Sequence, residues 1–226
     1  MKCVMMMAAS IGWLVSAEAE RQVDQFRLSG VALRPEKYKG VASIRLTMPS
    51  HSYQDPRKEA LADRNFMAWL PMDFGNGIVE ADIASDLAPN APSYARGFVG
   101  FAFRIDDAGR FENIYLRPTN SVSTDPVRRS HTIQYAAYPD FRFDALRRDF
   151  PGKYEAYADV STGRWIHLKL VVEGARAQLY IDNRTRPAFV VEEMKLPATQ
   201  RGGVGIWIES GTVAHFRNLR VTPLPT

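Results

Sequence analysis

The chain has one cysteine in 226 residues, Cys3. That residue sits inside a leader-like stretch, so the mature chain is read as free of cysteine. Disulfides, thiolate metal sites and a cysteine nucleophile are thereby excluded, and stability must come from a sizeable core rather than from covalent staples. The four histidines, at positions 51, 131, 167 and 215, are isolated from one another. No H-E-x-x-H pair, G-x-S-x-G elbow or phosphate-binding glycine loop is present. One-sided charge is also missing. The net charge is +4, with no basic run interleaved with aromatics, so nothing points to nucleic acid as a partner. Internal repeats and low-complexity tracts are absent.

Long apolar runs are limited to Cys3–Val15, which is too short to span a membrane. Lys2 precedes this run, and Ser16-Ala17-Glu18-Ala19 comes after it as an A-x-A cleavage pattern. Residues 1–19 therefore read as a signal peptide and residues 20–226 as a single mature domain, secreted or periplasmic. Losing Lys2 and Glu18 together leaves the net charge at +4.

What is there is alternation. Gly163–Asp182 and Gly202–Val221 alternate apolar and polar residues and are broken by glycine where a hairpin must turn. Tyr38–Thr47, Phe66–Leu70, Ile78–Ile83, Phe98–Ile105, Phe111–Arg117, His131–Tyr135 and Tyr154–Asp159 add further strands, with Asp106–Arg110 as a hairpin loop. Asp55-Pro56-Arg57 carries a helix-start signature, a capping aspartate and then proline. Ala136–Lys153 is a long excursion rich in aromatics and arginine, of the kind that is usually functional. About ten short strands with regular turn signals predict an all-β sandwich or barrel.

The strand pattern sorts the side chains by face. Val79, Ala81 and Ile83 point inward, and Glu80 and Asp82 outward. Val99, Phe101, Phe103 and Ile105 point inward, and Gly100, Ala102 and Arg104 outward. Asn113, Tyr115 and Arg117 oppose Glu112, Ile114 and Leu116; Gln134 opposes Ile133; His167 opposes Ile166 and Leu168. The outward set of Glu80, Asp82, Arg104, Asn113, Tyr115, Arg117 and Gln134, with small Gly100 and Ala102 between them, is the chemistry of a saccharide groove. Carboxylate, amide and guanidinium groups read hydroxyls, and Tyr115, Tyr138 or Trp207 offers a ring for stacking. His131 is placed near Gln134. The same outward set is also compatible with a plain polar sheet carrying cross-strand ion pairs, Glu80 or Asp82 against Arg104.

Phe74–Ile83, Gly97–Arg104, Gly163–Asp182 and Gly203–Val221 resemble the concanavalin A-like lectin/glucanase superfamily, in particular its laminin-G-like and 3-keto-disaccharide-hydrolase-like branches. The resemblance implies a jelly-roll sandwich of two curved antiparallel sheets with ligands on the concave face or its rim loops. Members of that superfamily include lectins, glycan-binding modules, glycosidases and lyases, so three functions stay open: an exported poly- or oligosaccharide-binding protein, a glycoside hydrolase or related glycan-cleaving enzyme using Glu80 and Asp82, and a laminin-G-type protein-interaction domain. The laminarinase-type branch carries E-x-D-x-x-E on one strand. Glu80-Ala81-Asp82-Ile83-Ala84-Ser85 matches the first two carboxylates and has serine in place of the third. Glycosidases need two carboxyl groups roughly 5–5.5 or 6.5–9.5 Å apart, and alternate strand positions lie about 6.5–7 Å apart. Arg117, Arg128, Arg129, Arg142, Arg147 and Arg148 form an arginine-rich rim beside Tyr138, suited to an acidic saccharide, although Asp140, Asp144, Asp149 and Glu155 are placed to neutralise it. No cofactor and no metal ligand set is read, though scattered carboxylates allow a structural calcium. The oligomeric state is left open.

Overall fold

In the computed structural model, residues 22–224 are described; the cleavage region of residues 1–19 lies outside them. Fourteen strands build two antiparallel sheets. In chain order they are β1 (Arg27–Ser29), β2 (Ala32–Tyr38), β3 (Val41–Thr47), β4 (Met67–Phe74), β5 (Gly77–Leu87), β6 (Val99–Ile105), β7 (Phe111–Leu116), β8 (Ile133–Tyr138), β9 (Glu155–Ala156), β10 (Ile166–Glu173), β11 (Arg176–Ile181), β12 (Phe189–Val191), β13 (Gly202–Ile208) and β14 (Thr212–Pro223). Sheet A runs β1-β4-β13-β6-β7-β8-β9, and sheet B runs β12-β11-β10-β5-β14-β3-β2. The expected sandwich of two antiparallel sheets is what the chain forms.

Alternation dictates the core. Val79, Ala81 and Ile83 from sheet B meet Val99, Phe101, Phe103, Ile114 and Leu116 from sheet A in one buried cluster. Its apolar contacts supply the main stabilisation, at about 25 cal/mol per Å² of apolar surface removed from water. The outer face of sheet A carries a second, aromatic cluster of Met67, Ala102, Ile105, Phe111, Tyr115 and Trp207.

One bulge reverses the expected alternation. The register between β6 and β13 shifts at Gly203/Val204, and Arg104 adopts φ 55°. The extra residue turns Ile105 onto the outer face of sheet A and Arg104 inward. The Arg104 guanidinium is fully buried and donates to the carbonyls of Gly75 (2.8 Å), in the β4–β5 connection that crosses between the sheets, and Gly174 (2.7 Å), in the β10–β11 hairpin turn, lacing the two together at one end of the sandwich. Close by, Glu112 projects to the core side. It accepts from the Leu196 amide (2.9 Å) and the Tyr135 hydroxyl (3.2 Å), and burial pushes its pKa up to about 7.

Three short helices lie on the sheet A side: α1 (Pro118–Ser121), α2 (Pro126–Ser130) and α3 (Phe143–Asp149). α2 begins as physics requires, with Asp125 capping the Val127 amide and proline at the first turn. The same Asp-Pro signature at Asp55-Pro56 yields a single turn instead of a helix. Asp55 caps the Arg57 amide, but the chain then runs extended toward β4 across the outer face of sheet A. The sheet edges are uneven. β1, β9 and β12 are two or three residues long, whereas β2 has seven, with Pro35 at its centre and Arg34, Glu36 and Lys37 around it.

Candidate functional site

Two excursions cover the outer face of sheet A. One is the segment before β4, residues 54–66. The other comes after β8 and carries α3. They are pinned together over Tyr115. The Asp63 carboxylate accepts from the Tyr115 hydroxyl (2.6 Å) and from the Phe143 amide (2.8 Å), and the Arg64 carbonyl accepts from the Trp207 indole N–H (2.6 Å). Burial pushes the Asp63 carboxyl up, opposed by the Arg117 charge and these hydrogen bonds.

Beside this roof a cavity of about 220 Å³ stays open. Its accessible aromatic walls are Tyr94, Phe98 and Phe143, with the fully buried Tyr115 behind them, and four arginines, Arg96, Arg117, Arg128 and Arg147, line it together with His131. The arginines are held differently. Arg117 is 5% exposed and donates to Gln134 Oε1 (3.0 Å), the Tyr115 hydroxyl (2.9 Å) and Glu155 (3.4 Å). Arg147 is paired to the same Glu155, which also lies 3.3 Å from His131 Nε2. Burial moves the His131 pKa down, only partly offset by Glu155. By contrast, Arg96 is held by the Ser93 and Ala95 carbonyls (2.8 and 2.7 Å), and Arg128 by the Asn120 side-chain oxygen (3.0 Å). Among the described residues neither has a carboxylate partner. Burial depresses the Arg96 pKa, and the Arg128 and Arg117 charges add to that. Cations gathered with neutral acceptors behind them make a pocket that favours an anion.

The cavity's own carboxylates are committed. Asp63 is bonded as described, and Glu209 accepts from Arg64 (2.6 Å) and from Ser210. A pair of free carboxyl groups, as glycoside hydrolysis needs, is not part of its lining.

The sequence-predicted residues divide among three places. Tyr115, Arg117 and His131 line the cavity. Gln134 backs it by orienting Arg117, while Asn113 is buried on the same face with its amide unpartnered. Tyr138 stacks on Phe111 at a centroid distance of 5.1 Å, and Arg142 precedes α3 as its N-cap; neither lines the cavity. Arg104 is turned to the sandwich end by the bulge, and Trp207, fully buried beneath the roof, has no face free for stacking. Glu80 and Asp82 lie on the outer face of sheet B, across the sandwich. The expected single trough of carboxylates, guanidiniums and phenol does not form, because β5 and β6 belong to different sheets. The partners of β5 are β10 and β14, so Asp82 meets His167 (2.9 Å), Arg217 (3.1 Å) and Asn218 (2.8 Å) instead of Arg104. Burial raises the Asp82 pKa, but these partners outweigh it and hold it low. Of the arginine rim, Arg147 and Arg148 are paired with Glu155 and Asp149, and Arg128 is left facing the cavity.

Arg96, Tyr94, Phe98 and Phe143 were not foreseen as site residues. The signal was present in Tyr94-Ala95-Arg96-Gly97-Phe98, an alternating aromatic and cationic run just before β6. Gly97, at φ +70°, turns that run onto sheet A, and its carbonyl accepts from Ser85 Oγ (2.8 Å). Among the described residues, no group of three or more His, Cys, Asp or Glu could hold a metal ion, and no helix is long and apolar enough to cross a membrane.

No protein-family model matches the chain, and no curated protein matches it. Solved structures do resemble it. A carbohydrate binding module CBM66 from Bacillus subtilis superposes with a TM-score of 0.51 at 13% identity, covering 85% of this chain and 95% of that one. A Bacillus subtilis protein of unknown function with a galectin-like fold superposes with a TM-score of 0.56 at 14% identity, covering 91% and 92%. At such identities the likeness establishes the fold: a galectin-like β-sandwich, related to the concanavalin A-like jelly roll.

Proposed function

We propose that this chain is an exported saccharide-binding protein that seats one negatively charged sugar unit in the cavity beside Tyr115. The carrying observation is the pairing of Arg96 and Arg128, both free of carboxylate partners among the described residues, with aromatic walls in a space of about 220 Å³. The aromatic walls suit the apolar face of a pyranose, and the two guanidiniums suit a carboxylate or sulfate on it. Arg117 is already bonded on several sides and serves to shape the pocket and contribute field. The carbohydrate-binding module with the same fold is consistent with this reading.

Binding of trigalacturonate, an alginate trimer and a sulfated heparin disaccharide, measured by calorimetry, tests it. The protein should bind at least one of them, with affinity falling as salt rises. Arg96→Ala and Arg128→Ala should each weaken that binding about tenfold or more, the loss of one charge-assisted contact. The reading is wrong if no member of the panel binds, or if both variants bind as the parent does. Asp82→Asn, on the opposite sheet, should leave affinity unchanged; a loss there would revive a role for Glu80 and Asp82.

A further inference from the structure

A second cavity, of about 320 Å³, lies on the same outer face of sheet A. Its floor is Trp69, Met67 and Ile105, and its rim includes Ser29, Asn65 and Asp107. Two backbone features build that floor. The bulge at Arg104 delivers Ile105 to this side of the sheet. Gly203, on the neighbouring strand β13, leaves room for the indole to lie over it, since a methyl group there would overlap the Trp69 ring. The segment before β4 separates the two cavities, with Asp63 in the first and Asn65 in the second.

The chemistry differs from that of the arginine pocket. Asp106 is engaged with Arg110 at 2.7 Å and with its own turn. Among the described residues, the Trp69 indole N–H, the Asn65 amide, the Ser29 hydroxyl and the Asp107 carboxylate make no side-chain hydrogen bond. A half-buried apolar floor with one indole on it, edged by unused donors and acceptors, matches an uncharged pyranose: apolar C–H face below, hydroxyls around the rim. The Arg27 guanidinium lies 5.2 Å from the Trp69 ring centroid. It is exposed and, among the described residues, held there by a cation–π contact alone, so a sugar ring can displace it from the indole.

We infer that the Trp69 cavity is a second saccharide site, taking a neutral pyranose unit. This rests on the saccharide-binding reading above. Together the two sites would let the protein hold a polymer that mixes charged and uncharged units, or two chains at once.

The test uses the whole protein with cellotetraose, xylotetraose and mannotetraose as neutral probes, read by tryptophan fluorescence and calorimetry alongside the acidic panel. At least one neutral probe should bind and change the fluorescence. Trp69→Ala should weaken it at least tenfold and the exposed substitution Asn65→Ala severalfold, while acidic-saccharide binding persists in both. Persistence of acidic binding shows that the variants are folded. Acidic binding without neutral binding, or neutral binding unaffected by Trp69→Ala and Asn65→Ala, overturns the second site and leaves the first standing. If neither class of saccharide binds the parent protein, both fall.

Discussion

Replacing Arg117 with methionine is expected to destabilise the protein by about 3–5 kcal/mol, the usual cost of breaking a buried ion pair from one side. In a chain of this size that should lower the melting midpoint by roughly 10 °C. The reason is the number of groups that converge on one guanidinium. Gln134 Oε1, the Tyr115 hydroxyl and Glu155 all accept from it, and it also lies over the Phe143 ring at 5.1 Å. Methionine fills much of the volume but donates nothing, so buried acceptors are left without partners. The damage should spread outward, because Tyr115 in turn holds Asp63 and Asp63 holds the Phe143 amide. Urea unfolding measures the effect, with Arg148→Ala as the comparison. Arg148 pairs with Asp149 on the surface, where water screens the pair, and its loss should shift the unfolding midpoint far less. If Arg117→Met cost no more than Arg148→Ala, the buried network would not be organising this region.

Glu112 sets the second large effect, and its sign is unusual for a carboxylate. Its pKa is raised from 4.5 to about 7 by burial. Below pH 4.5 the group is protonated in both folded and unfolded chains and contributes no pH dependence. Between pH 4.5 and 7 the unfolded chain loses the proton and the folded one keeps it. Stability from this group therefore falls as pH rises, and levels off above the folded pKa. The full span is about 3 kcal/mol. Glu112→Gln removes the ionisation and keeps an acceptor for the Leu196 amide. The variant should lack this slope and be more stable than the parent at pH 8, by about 1–3 kcal/mol. Denaturant titrations of both proteins at pH 4.5 and pH 8 decide it. An unchanged difference between them at the two pH values would show that Glu112 titrates normally.

Much of the architecture was legible because a half-buried strand writes its two faces into alternate residues. Glu80 and Asp82, Asn113 and Tyr115, and Ile166 and Leu168 all take the sides that the pattern assigns. Two kinds of information were not in that pattern. A bulge changes the count by one, so the run Phe101, Phe103, Ile105 reads as a single face although Ile105 belongs to the other. Alternation also says nothing about which sheet a strand joins. Ile78–Ile83 and Phe98–Ile105 are consecutive strands in the chain, yet the stretch between them crosses from sheet B to sheet A. Their outward residues therefore end on opposite sides of the molecule. Local chemistry had a similar limit. Asp125-Pro126 starts a helix and Asp55-Pro56 does not, because the path of the backbone after each pair is decided by packing against the sheet rather than by the cap. The arginine-rich stretch around α3 was recognised, but Arg96 came from a segment 21 residues before Arg117, brought beside it only by the fold.

The uneven borders of the two sheets carry a consequence for the saccharide-binding role proposed above, in which copies would gather on a polymer. Copies lined up along one chain are held at high local concentration, the condition under which exposed strand edges zip together into aggregates. Three of the four borders are too short to template such pairing. The long one, β2, presents a residue without an amide hydrogen at its midpoint and fixed charges on either side. Crowding on a shared scaffold can then proceed without the molecules adding strands to one another.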